Sequence, residues 1–260
     1  MKTDRKTKQF LVTVSAGKRL IGKALCRMAC IQEALRSHTL VIVCGSTNAY
    51  AAEEILSMIH QEEGFDRHSF LRGIKAAPWQ KGIKSVYSGQ DVVIEKGIWK
   101  KEENLFDAAP RLKRGDVILK GANAVDEAHT MAGIQIANPR LGTSAPILEC
   151  TAGRQVRLVI PVGLEKRIPG SVAEAAALVN GPESTGLRLL PVTGDIVTET
   201  EALEILCGVQ VRLTGAGGIF GAEGSLYLSV TGTDEELQKV SEVMEGVVRE
   251  EPFGGLPREG

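Results

Sequence analysis

The chain has 260 residues, of which 43% are hydrophobic and 24% are charged. This composition supplies enough apolar side chains for one large core or two smaller ones, and it excludes a disordered or fibrous chain. The 31 Lys and Arg residues nearly balance the 32 Asp and Glu residues, so we expect neither nucleic acid nor an anionic membrane as a partner.

Cellular location is predicted from what the sequence lacks. No apolar run approaches the roughly 20 residues that cross a bilayer, and the polar opening segment does not suit a signal peptide. The five cysteines form no CxxC pair and have no histidine at metal-ligand spacing. We therefore expect a cytoplasmic protein with reduced thiols, no structural metal and no cofactor.

The first half of the chain alternates strand and helix patterns. Residues 10–14 form a predicted strand, and a helical stretch continues to about Ala34. The β-branched apolar run 39–44 has no polar alternation, which is typical of a strand buried on both faces of a parallel sheet. A polar turn at 45–48 follows, and from Ala49 the apolar residues recur at helical spacing.

The pattern continues through the middle of the chain. Residues 62–114 predict short strands and loops, and 115–119 returns to the buried-strand pattern. A helix begins near Ser144, and residues 156–162 form another buried strand. These alternating elements predict an α/β fold with an open, mainly parallel sheet and helices on both faces.

A cluster of Gly, Pro and hydroxyl residues at 180–186 predicts a linker. We therefore expect an α/β ligand-binding domain over 1–182, a small α+β domain over 187–250 and a tail over 251–260. The second domain is predicted to hold strands at 187–193, 209–214 and 225–230, a helix at 199–206 and a last helix that begins at the Thr233 and Glu236 capping box.

The turn after the second strand is a candidate anion site. Gly45, Ser46, Thr47 and Asn48 would present backbone N–H groups, two hydroxyls and the positive end of a helix, which suit phosphate or carboxylate. The alternative is that the side chains only cap the helix, which is the more common arrangement on spacing alone.

A second polar turn, Lys120 to Asp126, also follows a strand. Gly121 and Ala122 are small enough for the backbone to approach a ligand, while Asn123 and Asp126 offer polar contacts. The alternative is an ordinary turn with a solvated lysine. Spacing alone does not separate the two.

Other motifs are weaker candidates for a functional site. The glycine-rich stretch 215–224 lies between two strands rather than between a strand and a helix, so it predicts a long hairpin loop and not a dinucleotide site. Cys44 and Cys150 have no neighbouring histidine in sequence, and we expect both to be buried small hydrophobic residues.

Two of these motifs resemble a known superfamily. Residues 40–50 are similar to the strand, GST-type turn and helix of ribose-5-phosphate isomerases, and 116–126 resemble their strand that ends in a Gly-Ala-Asp-Glu-Val-Asp turn. The superfamily also contains glucosamine-6-phosphate isomerases, coenzyme A transferases and translation-initiation exchange-factor subunits. Residues 144–162 are more loosely similar, with Glu149 at about the interval of the isomerases' catalytic glutamate. The resemblance implies an isomerase-like fold, as a divergent member, with a pocket at the strand ends.

The sequence departs from that pattern in its acidic residues. Lys120 and Asn123 stand where the family has aspartates, and 139–143 replaces the family's lysine and glycine run. An aldose–ketose isomerase needs a base and a polar group that stabilises the enediolate oxygen. The resemblance makes Glu149 the base and Asn123 or Lys120 its polar partner, with an incomplete acidic set.

Three functions remain open on sequence. The first is binding of a small phosphorylated or carboxylated metabolite, with isomerisation as the reaction, at 45–48, 120–126 and a loop that contributes Arg140, Thr143 and Ser144. The second is a non-catalytic regulatory or scaffolding protein that forms a homo-oligomer through its C-terminal region. The third is acyl or coenzyme A transfer with Glu149 as nucleophile.

Overall fold

The computed structural model describes residues 5–72 and 90–252. Its helices are α1 (Val14–Leu25), α2 (Ala29–Ser37), α3 (Ser46–Met58), α4 (Leu105–Ala108), α5 (Ser144–Leu148), α6 (Val172–Asn180), α7 (Glu199–Cys207) and α8 (Asp234–Glu245). Its strands are β1 (Lys6–Val12), β2 (Thr39–Ile42), β3 (Val92–Glu95), β4 (Ile98–Trp99), β5 (Val117–Leu119), β6 (Ala124–Val125), β7 (Ala132–Ile136), β8 (Arg157–Pro161), β9 (Arg188–Val192), β10 (Asp195–Val197), β11 (Gln210–Ala216) and β12 (Leu226–Gly232). A π-helical turn, Glu149–Gly153, directly continues α5.

The fold is mixed α/β around a six-stranded, mostly parallel sheet with the order β10-β8-β5-β2-β3-β4. Strands β10, β8, β5 and β2 run parallel to one another, whereas β3 and β4 add an antiparallel edge. All four parallel strands therefore end at the same edge of the sheet.

Burial of both sheet faces explains why the central strands lack polar alternation. In β2, Leu40 and Ile42 belong to a core shared with α1, α3 and α7, while Val41 lies in a second core with α4 and α5. Because successive side chains of a strand point to opposite faces, a strand covered on both sides needs apolar residues throughout.

Two three-stranded sheets flank the central one, with the orders β1-β12-β11 and β6-β7-β9. In the first, the strand near the N-terminus pairs antiparallel with one near the C-terminus, from Lys6 opposite Gly232 to Val12 opposite Leu226. In the second, β7 lies between β6 and β9 in antiparallel pairing.

This strand pairing corrects the predicted grouping of the chain. Strands pair across the predicted boundary at 182–187, since β9 pairs with β7, β10 with β8 and β1 with β12. The region 187–250 is therefore not a sheet paired only within itself, and its helices α7 and α8 share a core with α1 and α3. The Gly- and Pro-rich linker pattern marks a surface connection, but it carries no information about which strands pair.

Most individual elements match their sequence patterns. The capping box at Thr233 and Glu236 is present at the start of α8, and the glycine-rich stretch joins β11 to β12. The predicted N-terminal helix is instead divided into α1 and α2, and α6 and β10 carried no recognised signal. Of the region 62–114 and the predicted tail, residues 73–89 and 253–260 lie outside the described residues.

Among residues 5–72 and 90–252, no helix is long and apolar enough to span a membrane. The cysteines are free thiols, and Cys44 and Cys150 are buried as expected. Burial raises the pKa of both thiols.

Candidate functional site

The parallel strands bring polar residues together at the carboxyl edge of the central sheet. Ligands of open α/β sheets bind in crevices at this edge. The residues that follow the strand ends here are Thr47 after β2, Lys120 after β5, Glu165 and Lys166 after β8, and Glu199 after β10.

The first turn of α3 begins without a side-chain cap. Gly45 occupies the N-cap position in an extended conformation, with φ of 165° and ψ of 154°, and no side chain bonds the first-turn N–H groups. The capping alternative for Ser46, Thr47 and Asn48 is therefore not what the structure contains. Within the described residues, the backbone N–H groups of these three residues have no acceptor. A 13-residue helix thus presents unpaired donors and its positive end at the carboxyl edge.

Asn48 connects strands rather than facing the edge. Its buried Nδ2 donates to the carbonyl oxygen of Val43 at 2.7 Å and to that of Leu119 at 3.1 Å. These bonds tie the end of β2 to the end of β5, so the amide nitrogen is committed to the fold.

Lys166 links Thr47 to an acidic group. Its Nζ lies 3.5 Å from the Thr47 hydroxyl oxygen and 3.7 Å from Oε1 of Glu165. Thr47 is buried, and the side chains of Glu165 and Lys166 are mostly buried. One ammonium group therefore joins the α3 turn to the loop after β8.

Glu199 is the most deeply buried acid of this cluster. Its side chain is fully enclosed, and its Oε2 accepts a hydrogen bond from the Leu164 backbone N–H at 2.8 Å. Burial is the main cause that raises its pKa to about 8, with the charge of Glu165 adding to the rise and that Leu164 N–H and Lys166 opposing it. The carboxyl group therefore holds its proton at neutral pH.

Helix α1 leaves room for this acid at Gly17. A Cβ atom at position 17 would lie closer to Oε1 of Glu199 than any normal contact allows. That oxygen is buried and has no hydrogen-bond partner among the described residues. The next residue, Lys18, is also buried, and its pKa falls to about 8 because of burial and the charge of Lys166, against the attraction of the two glutamates.

We call Lys18, Thr47, Glu165, Lys166 and Glu199 the edge cluster. It combines two acids and two lysines in mostly buried positions. Oε2 of Glu165, like Oε1 of Glu199, is buried without a partner among the described residues. Buried polar atoms in proteins are almost always hydrogen-bonded, so two unpaired carboxylate oxygens in one cluster are unusual. The arrangement offers acceptors and proton donors to a polar ligand.

Lys120 and Thr143, which stand in two of the loops chosen for the site, are in contact. The lysine Nζ donates to the Thr143 hydroxyl at 3.2 Å, at the start of α5. Lys120 is only partly exposed, and burial is the main cause that lowers its pKa. This contact lies at the carboxyl edge, beside the end of β5.

Glu149 is placed differently from the prediction. Its side chain is 67% exposed, and its Oε1 forms an ion pair at 2.7 Å with Arg154. The adjacent Cys150 accepts a backbone bond from Val156, just before β8 begins. Glu149 therefore lies near the amino ends of the parallel strands, and the structure separates it from Thr47.

Asn123 and Asp126 stabilise the β6–β7 hairpin. The exposed Asn123 accepts the Gln135 backbone N–H at 2.9 Å. The carboxylate of Asp126 accepts the backbone N–H of Thr130 at 2.8 Å and its hydroxyl at 2.9 Å. Both side chains therefore bond their own hairpin, which is the ordinary-turn alternative.

The remaining predicted residues contribute less. Arg140 is exposed, and its backbone N–H donates to Asn138 at 2.7 Å. Ser144 is buried at the start of α5, and Ala122 is part of the second core. A Cβ atom added at Gly121 would lie 3.6 Å from the Pro161 carbonyl oxygen, which is an ordinary contact distance.

Sequence reasoning missed Lys18, Glu165, Lys166 and Glu199. The signal for Glu165 and Lys166 was available, because they follow a recognised strand by only a few residues. Glu199 follows β10, which has three residues and offers too short a pattern to detect.

One groove of the structure lies away from the edge cluster. A groove of about 650 Å³ is lined by residues near the carboxyl ends of α1, α3, α7 and α8, at the opposite side of the sheet from the edge cluster. Within the described parts of the chain, no group of three or more His, Cys, Asp and Glu residues is arranged to hold a metal ion.

Comparisons with known proteins do not assign the chain to a family or a function. No family model matches the chain, and neither a curated protein nor a solved structure gives a significant match. The functional argument therefore depends on the residues of the carboxyl edge.

Proposed function

We propose that this protein binds a small phosphorylated or carboxylated metabolite at the carboxyl edge of its central sheet and isomerises it by proton transfer. The observation that carries the proposal is the edge cluster: buried Glu199 and mostly buried Glu165 beside Lys166, which contacts Thr47 at the start of α3.

The anionic part of the metabolite belongs at the first turn of α3. Unpaired N–H groups and the helix dipole attract an anion there. The Thr47 hydroxyl and the Lys166 ammonium add charge-assisted hydrogen bonds, and both groups already lie within 3.5 Å of each other. No such combination occurs at Glu149.

The two acids have different roles in this proposal. Glu199 retains its proton at neutral pH and is the acid, whereas Glu165, beside the Lys166 ammonium, is the carboxylate that removes a proton from carbon. In an aldose–ketose isomerisation the C2 proton passes to the base, the enediolate oxygen receives a hydrogen bond, and C1 gains a proton. This assignment replaces Glu149 with Glu165.

The proposal extends to fold and location. The resemblance in 40–50 and 116–126 supports a divergent isomerase-like fold with an open sheet. The free thiols suit a reducing compartment, so we propose a cytoplasmic protein. A regulatory protein that binds the metabolite without turnover is the alternative that the experiments below separate.

Ligand binding is tested by thermal unfolding with ribose 5-phosphate, inorganic phosphate and, as a neutral control, ribose. We expect the two anions, but not ribose, to raise the melting temperature. Thr47→Val and Lys166→Met should each weaken binding by about tenfold, because each removes a charge-assisted bond of roughly 1.5–3 kcal/mol. Lys113→Met, a change at an exposed lysine, is the matched control. Equal responses in all three variants would refute the anion site.

Turnover is tested by incubating the protein with ribose 5-phosphate in D2O and following deuterium incorporation at carbon by NMR. We expect exchange in the wild type and its loss in Glu165→Gln, with phosphate binding retained. Binding without exchange in the wild type would refute isomerisation of this substrate and favour the regulatory alternative.

A further inference from the structure

Lys120 is a largely desolvated lysine without a nearby carboxylate partner among the described residues. Its Nζ bonds the Thr143 hydroxyl, and no carboxylate oxygen of the described residues lies within salt-bridge distance of it. The internal stretch 73–89 contains no Asp or Glu in its sequence. Lysine is seldom buried without an acidic partner, because a desolvated ammonium is costly.

The acid whose charge acts on Lys120 is committed elsewhere. Asp91 is fully buried, and it accepts the backbone N–H groups of Cys44 at 2.9 Å and Leu105 at 3.2 Å. Its carboxylate also pairs with the guanidinium of Arg72 at 3.1 Å. With these donors satisfied, Asp91 attracts Lys120 only from a distance, and Arg72 counteracts that attraction.

Lys120 also lies where a ligand would arrive. The carbonyl of the preceding residue, Leu119, accepts bonds from Val43 at 3.0 Å and from Asn48 in the first turn of α3 at 3.1 Å. The backbone at the start of the Lys120 loop is therefore bonded to the turn to which we assign the anion. Lys120 as a whole residue keeps partial exposure to solvent.

We propose that Lys120 is a nucleophile that captures a small ketone or aldehyde as an imine. The neutral amine adds to the carbonyl carbon and gives a carbinolamine, which then loses water to form the C=N bond. The Thr143 hydroxyl orients the amine before attack. This lysine follows a strand end and is distinct from Lys18 and Lys166 of the edge cluster.

Desolvation supports the same chemistry. A lysine with an ordinary pKa near 10.4 is almost entirely protonated at pH 7, and each unit of lowering increases the reactive neutral fraction about tenfold. The groups around Lys120 are Asp91, which favours the ammonium, and Arg72, which disfavours it, with the Cys44 thiol nearby. Burial outweighs the attraction and leaves a lowered pKa.

The test traps the imine by reduction. The full-length protein is incubated at pH 7 with dihydroxyacetone phosphate or dihydroxyacetone and sodium cyanoborohydride, and adducts are located by peptide mass spectrometry. We expect Lys120 to be labelled at least about tenfold faster than the exposed Lys113 and Lys239, which are internal references. Labelling of Lys120 at or below the reference rate, or dominant labelling of Lys18 or Lys166, would overturn the proposal.

The two ketones separate this inference from the proposed function. They differ only by the phosphate group, and preference for the phosphorylated ketone rests on the proposed anion site, whereas capture of the neutral ketone does not. Equal labelling of Lys120 by both would support the nucleophile and contradict the anion site. Lys120→Arg keeps the charge and should abolish the fast adduct, while Lys113→Arg should leave it unchanged. Circular dichroism checks folding, and the wild-type peptide map decides the question if Lys120→Arg is misfolded.

Discussion

Replacing Glu199 with glutamine tests the electrostatics of the edge cluster. The amide has nearly the shape of a protonated carboxyl, and its oxygen can still accept the Leu164 N–H bond. Unlike the acid, it cannot ionise. The comparison between wild type and Glu199→Gln therefore isolates the free energy of burying an ionisable group next to Glu165 and Lys166.

The sign and size follow from the raised pKa of Glu199. The ordinary pKa of this carboxyl group is 4.5, and in the folded protein it is about 8. Between these two pH values the folded protein retains a proton that the unfolded chain has lost. The stabilisation by this group is complete below pH 4.5 and is lost as pH rises through about 8. At about 1.4 kcal/mol per pH unit the upper limit is about 5 kcal/mol. Relaxation of the surrounding structure reduces it, and we expect a loss of about 2 kcal/mol or more.

The assay is urea unfolding followed by circular dichroism at several pH values between 5 and 9. We expect the stability of the wild type, relative to Glu199→Gln, to fall across this range. Glu149→Gln is the matched control, because that exposed acid lies at the other edge of the sheet and should give no such trend. Parallel pH curves for the wild type and Glu199→Gln would refute the argument that this acid is buried in its protonated form.

Two further predictions concern the supports of the carboxyl edge. Asn48→Ala removes both bonds to strand-end carbonyls and should cost about 1–3 kcal/mol in urea unfolding, since the Val43 carbonyl loses its partner while the Leu119 carbonyl keeps the Val43 N–H; a loss below about 0.5 kcal/mol would show that water replaces the amide. His129→Asn removes the 2.7 Å pair with Glu201, which raises the pKa of His129. Because that stabilisation is present below pH 6.5 and lost as pH rises through the folded pKa, we expect a loss of about 0.5–1 kcal/mol at pH 5.5 and less at pH 9; an equal loss at both would contradict a charged pair.

The sequence by itself determined the strands, helix starts and turns whose signals lie in neighbouring residues. The apolar run in β2 identified a strand covered on both faces, and Thr233 with Glu236 identified the start of α8. The two polar turns after β2 and β5 were recognised as strand ends, and the contact of Lys120 with Thr143 fell within the loops chosen for the site. These features depend on periodicity, capping and turn chemistry, which neighbouring residues carry.

Only the tertiary structure decided which strand ends meet. Glu199 lies beside Gly17 although the two are 182 positions apart in the sequence, and β1 pairs with β12 from the other end of the chain. The same long-range packing moves Glu149 to the opposite edge and exposes it, although its sequence neighbours are apolar. Strand order and the resulting desolvation arise from contacts between distant segments. For that reason the burial of these acids and lysines, and their meeting in one cluster, were visible only in the folded chain.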